Sequence, residues 1–215
     1  QEFKIVNTVK ERLDRLSANN LILGSSFSFN INSQESIFDE KFYQLRWKFD
    51  WAGNLLNQFL TSFSSNQNEE NKNILGGVSP SQYIKTEIDY IKHWPLGKDH
   101  VFALHAFTGI AIPYGNSTNM PFSRSYFSGG ANDNRAWKAY KLGPGSSSNI
   151  NEFNEANFKL SFNLEYRFPI TGPLKGGLFI DFGNVWNIWD DVKDSAMRFD
   201  GIEDLSEIAI GSGFG

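Results

Sequence analysis

Long stretches in which apolar and polar residues strictly alternate constrain the fold of this sequence more than any other feature. In one of them, six apolar residues alternate with five polar ones: Phe158, Leu160, Phe162, Leu164, Tyr166 and Phe168 with Lys159, Ser161, Asn163, Glu165 and Arg167. Successive side chains of a β-strand point to opposite faces, so this period of two predicts strands with one apolar and one polar face. The pattern predicts seven strands, near 21–32, 42–51, 83–94, 101–112, 158–168, 177–186 and 206–215.

The length and composition of these strands favour a membrane environment. They run to about 9–12 residues, which suits a tilted membrane strand and exceeds the usual five or six. Aromatic residues stand near strand ends, where the interfacial girdles of a transmembrane barrel belong, at Trp51, Trp94, Phe168 and Trp186. Because a soluble β-sandwich also alternates, it remains an alternative. On the strand lengths and the aromatic residues at strand ends, we expect an all-β fold, namely an antiparallel transmembrane β-barrel.

The connections between the strands alternate in length. The short ones are 33–41, 95–100 and 169–176, and the long ones are 52–82, 113–157 and 187–205. Outer-membrane barrels place short turns in the periplasm and long loops outside the cell, so the alternation predicts a side for each connection. Seven or eight strands leave a sheet edge open, and unpaired backbone groups are costly in lipid. We therefore expect residues 1–215 to be part of one barrel domain whose other strands lie elsewhere.

Composition and spacing argue against several other classes of function. The net charge of −4 disfavours a nucleic-acid partner, and the absence of Cys excludes disulfides and thiolate zinc sites. No metal-ligand spacing links the three histidines, His93, His100 and His105. His100 is expected in a turn. The acidic run of Asp190, Asp191 and Asp194 lacks the ordered spacing of a calcium loop. A serine hydrolase would need a Ser with a His neighbour on the same face, and the sequence offers no such pair. We therefore expect no metal, no cofactor and no catalytic residue.

The long connection 113–157 contains the most distinctive motif. Its central part, PFSRSYFSGGANDNRAWKAYKLGPG, places Arg135-Ala136-Trp137 after Gly129-Gly130 and before Gly143-Pro144-Gly145. This resembles the sixth extracellular loop of the BamA/TamA superfamily of outer-membrane assembly and translocation barrels, the bacterial surface antigen superfamily. The sequence of the motif is most similar to that of the lipoprotein-anchored, TamA-like branch. The departures are Ala136 for the usual Gly, and Asp133-Asn134 where a small and an aliphatic residue are common.

Two further motifs follow in the order that this superfamily has. Residues 179–186, FIDFGNVW, resemble its Phe-x-Asp-x-Gly strand, and residues 163–169, NLEYRFP, resemble the strand before it. The resemblance covers about 83–186 well, and 21–82 is compatible with it. A lone RAW tripeptide would carry no weight, whereas three motifs in order make a specific signal.

The resemblance implies how the loop is held. In that family the loop folds back into the lumen and its Arg pairs with acidic side chains of the inner wall. Glu165 and Asp181 fall on the polar faces of their strands here, with Gly183, so we expect both acids to point inward. Arg135 should then bond to Asp181, with Glu165 close enough to share it, and Trp137 should pack on the inner wall. Without the resemblance, Arg135 would be a solvated loop charge.

The resemblance also implies a function without catalysis. The family's barrel has sixteen strands, of which this chain would hold those from the seventh or eighth onward without the last two. Periplasmic repeat domains and a lipid anchor are implied elsewhere. Such barrels lie in the outer membrane of Gram-negative bacteria and insert or translocate client outer-membrane or secreted polypeptides, and the resemblance implies accessory subunits as further partners. They use a weak seam between first and last strands, where an incoming strand can add by edge pairing.

Three alternatives to this function remain open. A two-partner secretion pore of the same superfamily would differ in its periplasmic domains and in having a dedicated secreted partner. A passive porin would conduct steadily and should lack the pairing of RAW with Phe-x-Asp-x-Gly. A soluble β-sandwich binding module would dissolve without detergent.

Overall fold

The computed structural model describes residues 10, 13–63, 73–147 and 154–215. These residues form one antiparallel sheet in which every strand pairs with its neighbours in sequence. The strands are β1 (Gly24–Asn32), β2 (Phe42–Ala52), β3 (Tyr83–Gly97), β4 (His100–Pro113), β5 (Phe158–Thr171), β6 (Leu174–Trp186) and β7 (Ala209–Phe214). All seven predicted strands are confirmed. The up-and-down order is the one that consecutive strands joined by hairpins produce.

Two of the short turns are tighter than predicted. The strand pairing that was expected to stop near 94 and 168 continues to Gly97 and Thr171. Strand pairing therefore continues past Pro95 and Pro169, whose strand propensity is low, and leaves only 98–99 and 172–173 between the strands. Register shifts near the ends of both strands accommodate this extension.

The tight turns have the backbone conformation that two-residue hairpins require. Asp99 and Gly172 have φ of 62° and 54°, in the left-handed region that such turns use. His100 was predicted to lie in the turn, but it is the first residue of β4, because β3 and β4 remain paired to their ends.

The outward face of the sheet is apolar across all seven described strands. Cross-strand partners such as Phe29 and Trp47, or Leu164 and Ile180, place apolar side chains opposite one another. Twelve large apolar side chains on this face are exposed: Phe27, Phe29, Ile31, Tyr43, Trp47, Ile84, Ile88, Phe162, Leu178, Ile180, Ile210 and Phe214. An apolar surface of this extent is costly in water and is what a lipid-facing wall needs.

The inward face carries charged residues in pairs. Arg46 Nη2 lies 2.6 Å from Asp89 Oδ2, and His105 Nε2 lies 3.0 Å from the other oxygen of the same carboxylate. Lys85 Nζ lies 3.0 Å from Glu87 Oε1. These cross-strand and neighbouring pairs form the polar inner wall that the alternating sequence predicts.

The three long connections all leave from one end of the sheet. The first contains a helix, α1 (Asn54–Phe63), and the others contain short 3₁₀ segments at Phe122–Arg124, Ser195–Met197 and Ile202–Glu207. Among the described residues, no helix has both the length and the apolar composition needed to cross a membrane.

The buried residues concentrate beneath these long connections. The main cluster joins strand ends to loop residues: Ala52, Tyr83, Ala111, Met120, Tyr126, Ala156 and Val185. Trp186 was predicted to belong to an interfacial girdle, but it is 0% exposed, because Phe158 and Phe199 pack against its ring. Its indole N–H donates to Glu207 Oε2 at 2.9 Å. Trp186 therefore anchors a loop instead of facing lipid.

Candidate functional site

The connection between β4 and β5 folds into a compact hairpin that lies against the inner wall. Isolated bridges join Tyr126 to Ala156 and Ser128 to Leu142, and the Gly130 N–H donates to the Trp137 carbonyl at 2.8 Å. Gly129 has φ of 99°, and a Cβ there would lie 2.3 Å from the Lys138 carbonyl oxygen. Only Gly fits this close approach, which explains the glycine pair before the RAW motif.

The tip of this hairpin is fixed by Arg135. Its Nε donates to Asp181 Oδ2 at 2.9 Å and its Nη2 donates to Asp181 Oδ1 at 2.8 Å, which makes a two-point fork. The Arg135 backbone N–H also donates to Asp181 Oδ2 at 2.9 Å. Its Nη1 donates to Glu165 Oε2, so one guanidinium joins β5, β6 and the loop.

The surroundings of Arg135 strengthen this contact. The Asp181 side chain is 0% exposed, and the Arg135 side chain is 22% exposed. The guanidinium carbon lies 3.6 Å from the centre of the Phe179 ring, a cation–π geometry. Hydrogen bonds to Asp181 raise the pKa of Arg135 above its ordinary value. The guanidinium therefore stays charged over the whole physiological range of pH.

Asp133 forms a second anchor two residues before Arg135. Its carboxylate accepts hydrogen bonds from within the loop, from Ser128 Oγ at 3.0 Å and the Gly129 N–H at 2.8 Å. It also accepts from β5, from Lys159 Nζ at 2.9 Å and Ser161 Oγ at 2.8 Å. Burial tends to raise the pKa of Asp133, but the Lys159 charge and these hydrogen bonds hold it below its ordinary value.

Asn163 connects the two anchors. Its amide donates to the Asp133 carbonyl oxygen at 2.7 Å and to Asp181 Oδ1 at 3.0 Å. The neighbouring Asn134 is fully buried, and its amide reaches the Ala209 carbonyl oxygen at 3.4 Å. Two asparagines thus extend the contact from β5 across to β7.

Ala136 and Trp137 pack on β7. A Cβ at Gly211 would lie 2.6 Å from Ala136 Cβ and 3.2 Å from Trp137 Cζ3, so the loop tip occupies the space that a side chain there would fill. The family motif has Gly at the position of Ala136. Here the Ala136 side chain is accommodated because the wall residue opposite it, Gly211 of β7, has no side chain.

The Gly143-Pro144-Gly145 segment docks at the outer end of β6. Pro144 is fully buried, the Gly145 N–H donates to the Val185 carbonyl at 2.8 Å, and Asn184 Nδ2 donates to the Gly145 carbonyl at 3.1 Å. A Cβ at Gly143 would lie 2.4 Å from Asn184 Oδ1. Glycines therefore let this segment lie directly on the strand.

Comparison with known proteins identifies the family. The Omp85 superfamily domain matches residues 10–215, almost the whole chain. The chain belongs to the Omp85 superfamily. Its outward apolar face is accordingly the lipid-facing wall of a β-barrel in the outer membrane of a Gram-negative bacterium.

Two individual proteins are similar to this Omp85 chain. The outer membrane protein assembly factor BamA of Neisseria meningitidis serogroup B is 29% identical over 130 residues, which are 55% of this chain and 16% of that protein. The crystal structure of BamA from Haemophilus ducreyi lacking POTRA domains 1-3 aligns with a TM-score of 0.48 at 17% identity. That alignment covers 89% of this chain and 47% of the other. The chain therefore spans less than half the length of either relative.

The Omp85 chain brings together most of the residues singled out from the sequence. Arg135, Glu165 and Asp181 are in direct contact, as described above. Gly183 lies on the same inner face, but its nearest neighbours are Leu160 and Ser161 of β5 and not the loop. Gly183 therefore allows β6 to pack closely on β5.

Several contact residues were not identified from the sequence. Phe179 lies within the Phe-x-Asp-x-Gly strand, whose alternation places it on the same face as Asp181 and could have indicated its role. Asp133 was noted only as a departure from the family motif. The polar face that contains Lys159, Ser161 and Asn163 was recognised, but its pairing with the loop depends on tertiary structure.

Two of the three histidines, His93 and His105, line a cavity that Arg135 and Glu165 also line. The His93 ring is tilted against the Phe42 ring, His100 Nδ1 lies 2.8 Å from the Tyr166 hydroxyl, and His105 pairs with Asp89. Within the described ranges, no group of three His, Cys, Asp or Glu residues has the geometry to hold a metal ion.

The three aspartates of the last long connection are also separated. Asp190 is buried beside Arg15 and Glu155, and burial raises its pKa to about 6. Asp194 caps a 3₁₀ segment by accepting from the Ala196 N–H, and Asp191 is exposed. They therefore have separate structural environments.

Proposed function

We propose that this chain forms part of the barrel of an outer-membrane factor that inserts or translocates other proteins. Membership of the Omp85 superfamily supports this general function, and the similarity to the assembly factor BamA supports it further. The observation that carries the proposal is the attachment of the loop to the inner wall through Arg135, Asp181 and Glu165. A loop held in the lumen is unlike the open pathway of a passive pore.

The proposal includes a larger barrel than the described strands form. Among these strands, β1 and β7 each pair along one edge only. An open edge in lipid leaves backbone N–H and C=O groups without partners, which is costly. We propose that further strands pair with both edges to close a barrel of about sixteen strands, as in the family's form, and that periplasmic domains belong to the same protein.

The proposed mechanism needs no covalent step and no cofactor. The loop joins β5 and β6 through Arg135 and reaches β7 through Ala136 and Trp137. It therefore stiffens the side of the barrel that leads towards the last strands. An incoming client strand would add at the seam beyond them by backbone pairing, while the fixed wall keeps its shape. Its clients would be outer-membrane or secreted polypeptides, and accessory subunits would be its partners.

A cellular complementation experiment tests this function. In cells depleted of the native protein, full-length Arg135→Ala should reach the outer membrane at normal levels but fail to restore folded outer-membrane proteins. Arg46→Ala is the matched control, because it removes a lumen guanidinium whose ion-pair partner is Asp89 of β3 and not a residue that holds the loop. We expect that variant to complement.

The same experiment separates the alternatives. Loss of one secreted protein with normal levels of outer-membrane proteins would indicate a two-partner secretion pore. Steady conductance by the wild-type protein without any defect on depletion would indicate a porin. Full complementation by Arg135→Ala at normal expression would refute the proposed role of the loop.

A further inference from the structure

The inner face of β7 has no side chain larger than a methyl group. Its partners in β6 place three residues of β7 on the inner face, and Gly215, which pairs with Gly177 through two backbone hydrogen bonds, continues that row. Glycines in a strand often mark a place where another group approaches the backbone closely. The residues of this row are Ala209, Gly211, Gly213 and Gly215.

Two different groups fill the space over these glycines. The loop tip lies over Gly211, where Ala136 and Trp137 pack. One inward position further along the strand, a Cβ at Gly213 would lie 2.6 Å from Phe179 Cζ, and the three atoms nearest to it all belong to the Phe179 ring. Phe179 and Gly213 are direct cross-strand partners. The Phe179 ring therefore lies across the inner face of β7.

This orientation allows the Phe179 ring to present its face to Arg135. The guanidinium carbon lies 3.6 Å from the ring centre, and a cation is attracted to the face of an aromatic ring. A methyl group at residue 213 would meet the far end of the ring, which can turn more easily than the paired backbone can shift. The ring lines a cavity together with Gly177 and Gly215, so it has space to turn into. Such a methyl group would thus move the ring away from Arg135 while the sheet stays paired.

We propose that Gly213 is a positioning residue for the docked loop. By leaving its place on the wall empty, it lets Phe179 lie across β7 and support the Arg135 guanidinium. Arg135 is then held by the carboxylates of Asp181 and Glu165 and also by the Phe179 ring. The inference rests on the proposed function for what the docked loop does, whereas the docking itself can be measured without any assay of function.

Two glycine substitutions on the same face of the wall test this role. Gly213→Ala and Gly215→Ala add the same methyl group, but a Cβ at Gly215 would meet no atom of the described residues within 4 Å. Docking is measured in the full-length protein in detergent by hydrogen exchange of the Gly130 and Tyr140 amides, which bond within the loop. A shift in gel mobility on heating shows that each variant is a folded barrel.

We expect the loop amides to exchange about fivefold faster in Gly213→Ala, which is the effect of losing one partly buried cation–π contact. Their exchange should be unchanged in Gly215→Ala. Phe179→Leu, which keeps an apolar side chain but has no ring, should give the same increase, and Gly213→Ala should add nothing to it. A glycine needed only for the fold of β7 would still have its full effect without the ring.

Three results would overturn the positioning role: wild-type exchange in Gly213→Ala, equal exchange in the two alanine variants, or a full additional effect of Gly213→Ala in the Phe179→Leu background. Complementation in depleted cells separates this role from the proposed function. If Gly213→Ala speeds loop exchange as expected but still restores folded outer-membrane proteins, the positioning role stands and the proposed function of the docked loop fails. If loop exchange is unchanged, the positioning role fails whether or not the variant complements.

Discussion

Removal of the Arg135 side chain is the perturbation whose effect can be worked out most fully from the structure. Arg135→Ala deletes the two-point fork to Asp181, the bond to Glu165 and the contact with the Phe179 ring. Asp181 keeps two donors, the backbone N–H of residue 135 and the Asn163 amide, so its buried carboxylate is not left without partners. The strand pairing of β5 with β6 involves none of the lost bonds.

The magnitude lies between two limits. Breaking a fully buried ion pair costs about 3–5 kcal/mol, and an exposed pair contributes about 0.2–1 kcal/mol. The Arg135 and Glu165 side chains are 22% and 24% exposed, while Asp181 is 0% exposed. We therefore expect the loop to lose about 2 kcal/mol of docking free energy, which is about a 30-fold rise in the undocked fraction.

Hydrogen exchange of the full-length protein in detergent measures this change. The amides of Gly130 and Tyr140, which donate to the Trp137 and Ser128 carbonyls, should exchange about 30-fold faster in Arg135→Ala, while amides of β5 and β6 are unchanged. Arg135→Lys should give an intermediate rate, because an ammonium lacks the fork. Arg46→Ala should leave the loop amides as they are. Unchanged loop exchange in Arg135→Ala would refute the reasoning, and accelerated exchange throughout β5 and β6 would refute the separation of loop from wall.

Three further predictions concern the second anchor, the β7 contact and the membrane topology. Asp133→Asn should weaken loop docking by about 1–2 kcal/mol, seen as faster exchange of the Gly129 amide. Because the pKa of Asp133 is lowered, its contribution to loop docking in the wild-type protein is complete above the ordinary Asp pKa and is lost as the pH falls through the lowered value. Loss of docking near neutral pH would contradict this. Gly211→Ala should displace the loop tip at a cost of about 1–3 kcal/mol, because the new Cβ would meet Ala136. Ser212→Ala, on the outward face of β7, should leave the loop in place. Equal effects of the two variants on loop docking would contradict this packing. In the full-length protein on intact cells, an impermeant thiol reagent should label a cysteine at Glu203 and not one at Lys98, and the opposite result would reverse the topology.

The strands could be predicted from the sequence because the alternation of their side chains has a single physical cause. A wall between lipid and water needs apolar residues on one face and tolerates polar ones on the other, so Phe158 to Phe168 alternate without interruption. The strand ends were less predictable. β3 and β5 extend past Pro95 and Pro169, to Gly97 and Thr171, because pairing with a neighbour overrides the weak strand propensity of proline and glycine.

The prediction that Trp186 belongs to an interfacial girdle was wrong for a related reason. Its place at the end of an apolar column is correct, but the connection that follows β6 folds back over it through Phe199. Burial by a loop cannot be read from the period of a strand. Helix α1 was missed because it lies within a long connection that the strand pattern left unassigned.

The candidate site was predictable only in part. The resemblance and the strand faces together pointed to Arg135, Asp181 and Glu165, since alternation puts both acids on the inner wall. Asp133 could not be assigned, because its partners Lys159 and Ser161 lie in a different strand and the register of loop against wall is tertiary information. Ala136 was interpreted as a departure in the loop, whereas its explanation lies in Gly211 of β7.

The central claim is that the contact between Arg135 and Asp181, and not merely the presence of either residue, supports the work of the barrel. Exchange of the two charges tests it most directly, by the rate at which proteoliposomes holding the full-length protein fold a client outer-membrane protein. Arg135→Asp and Asp181→Arg should each abolish assembly while the barrel stays folded, because each places like charges together. The double variant restores an opposite pair at the same position, and we predict that it recovers part of the wild-type rate. A double variant no more active than the single ones, or single variants with the wild-type rate, would contradict the account.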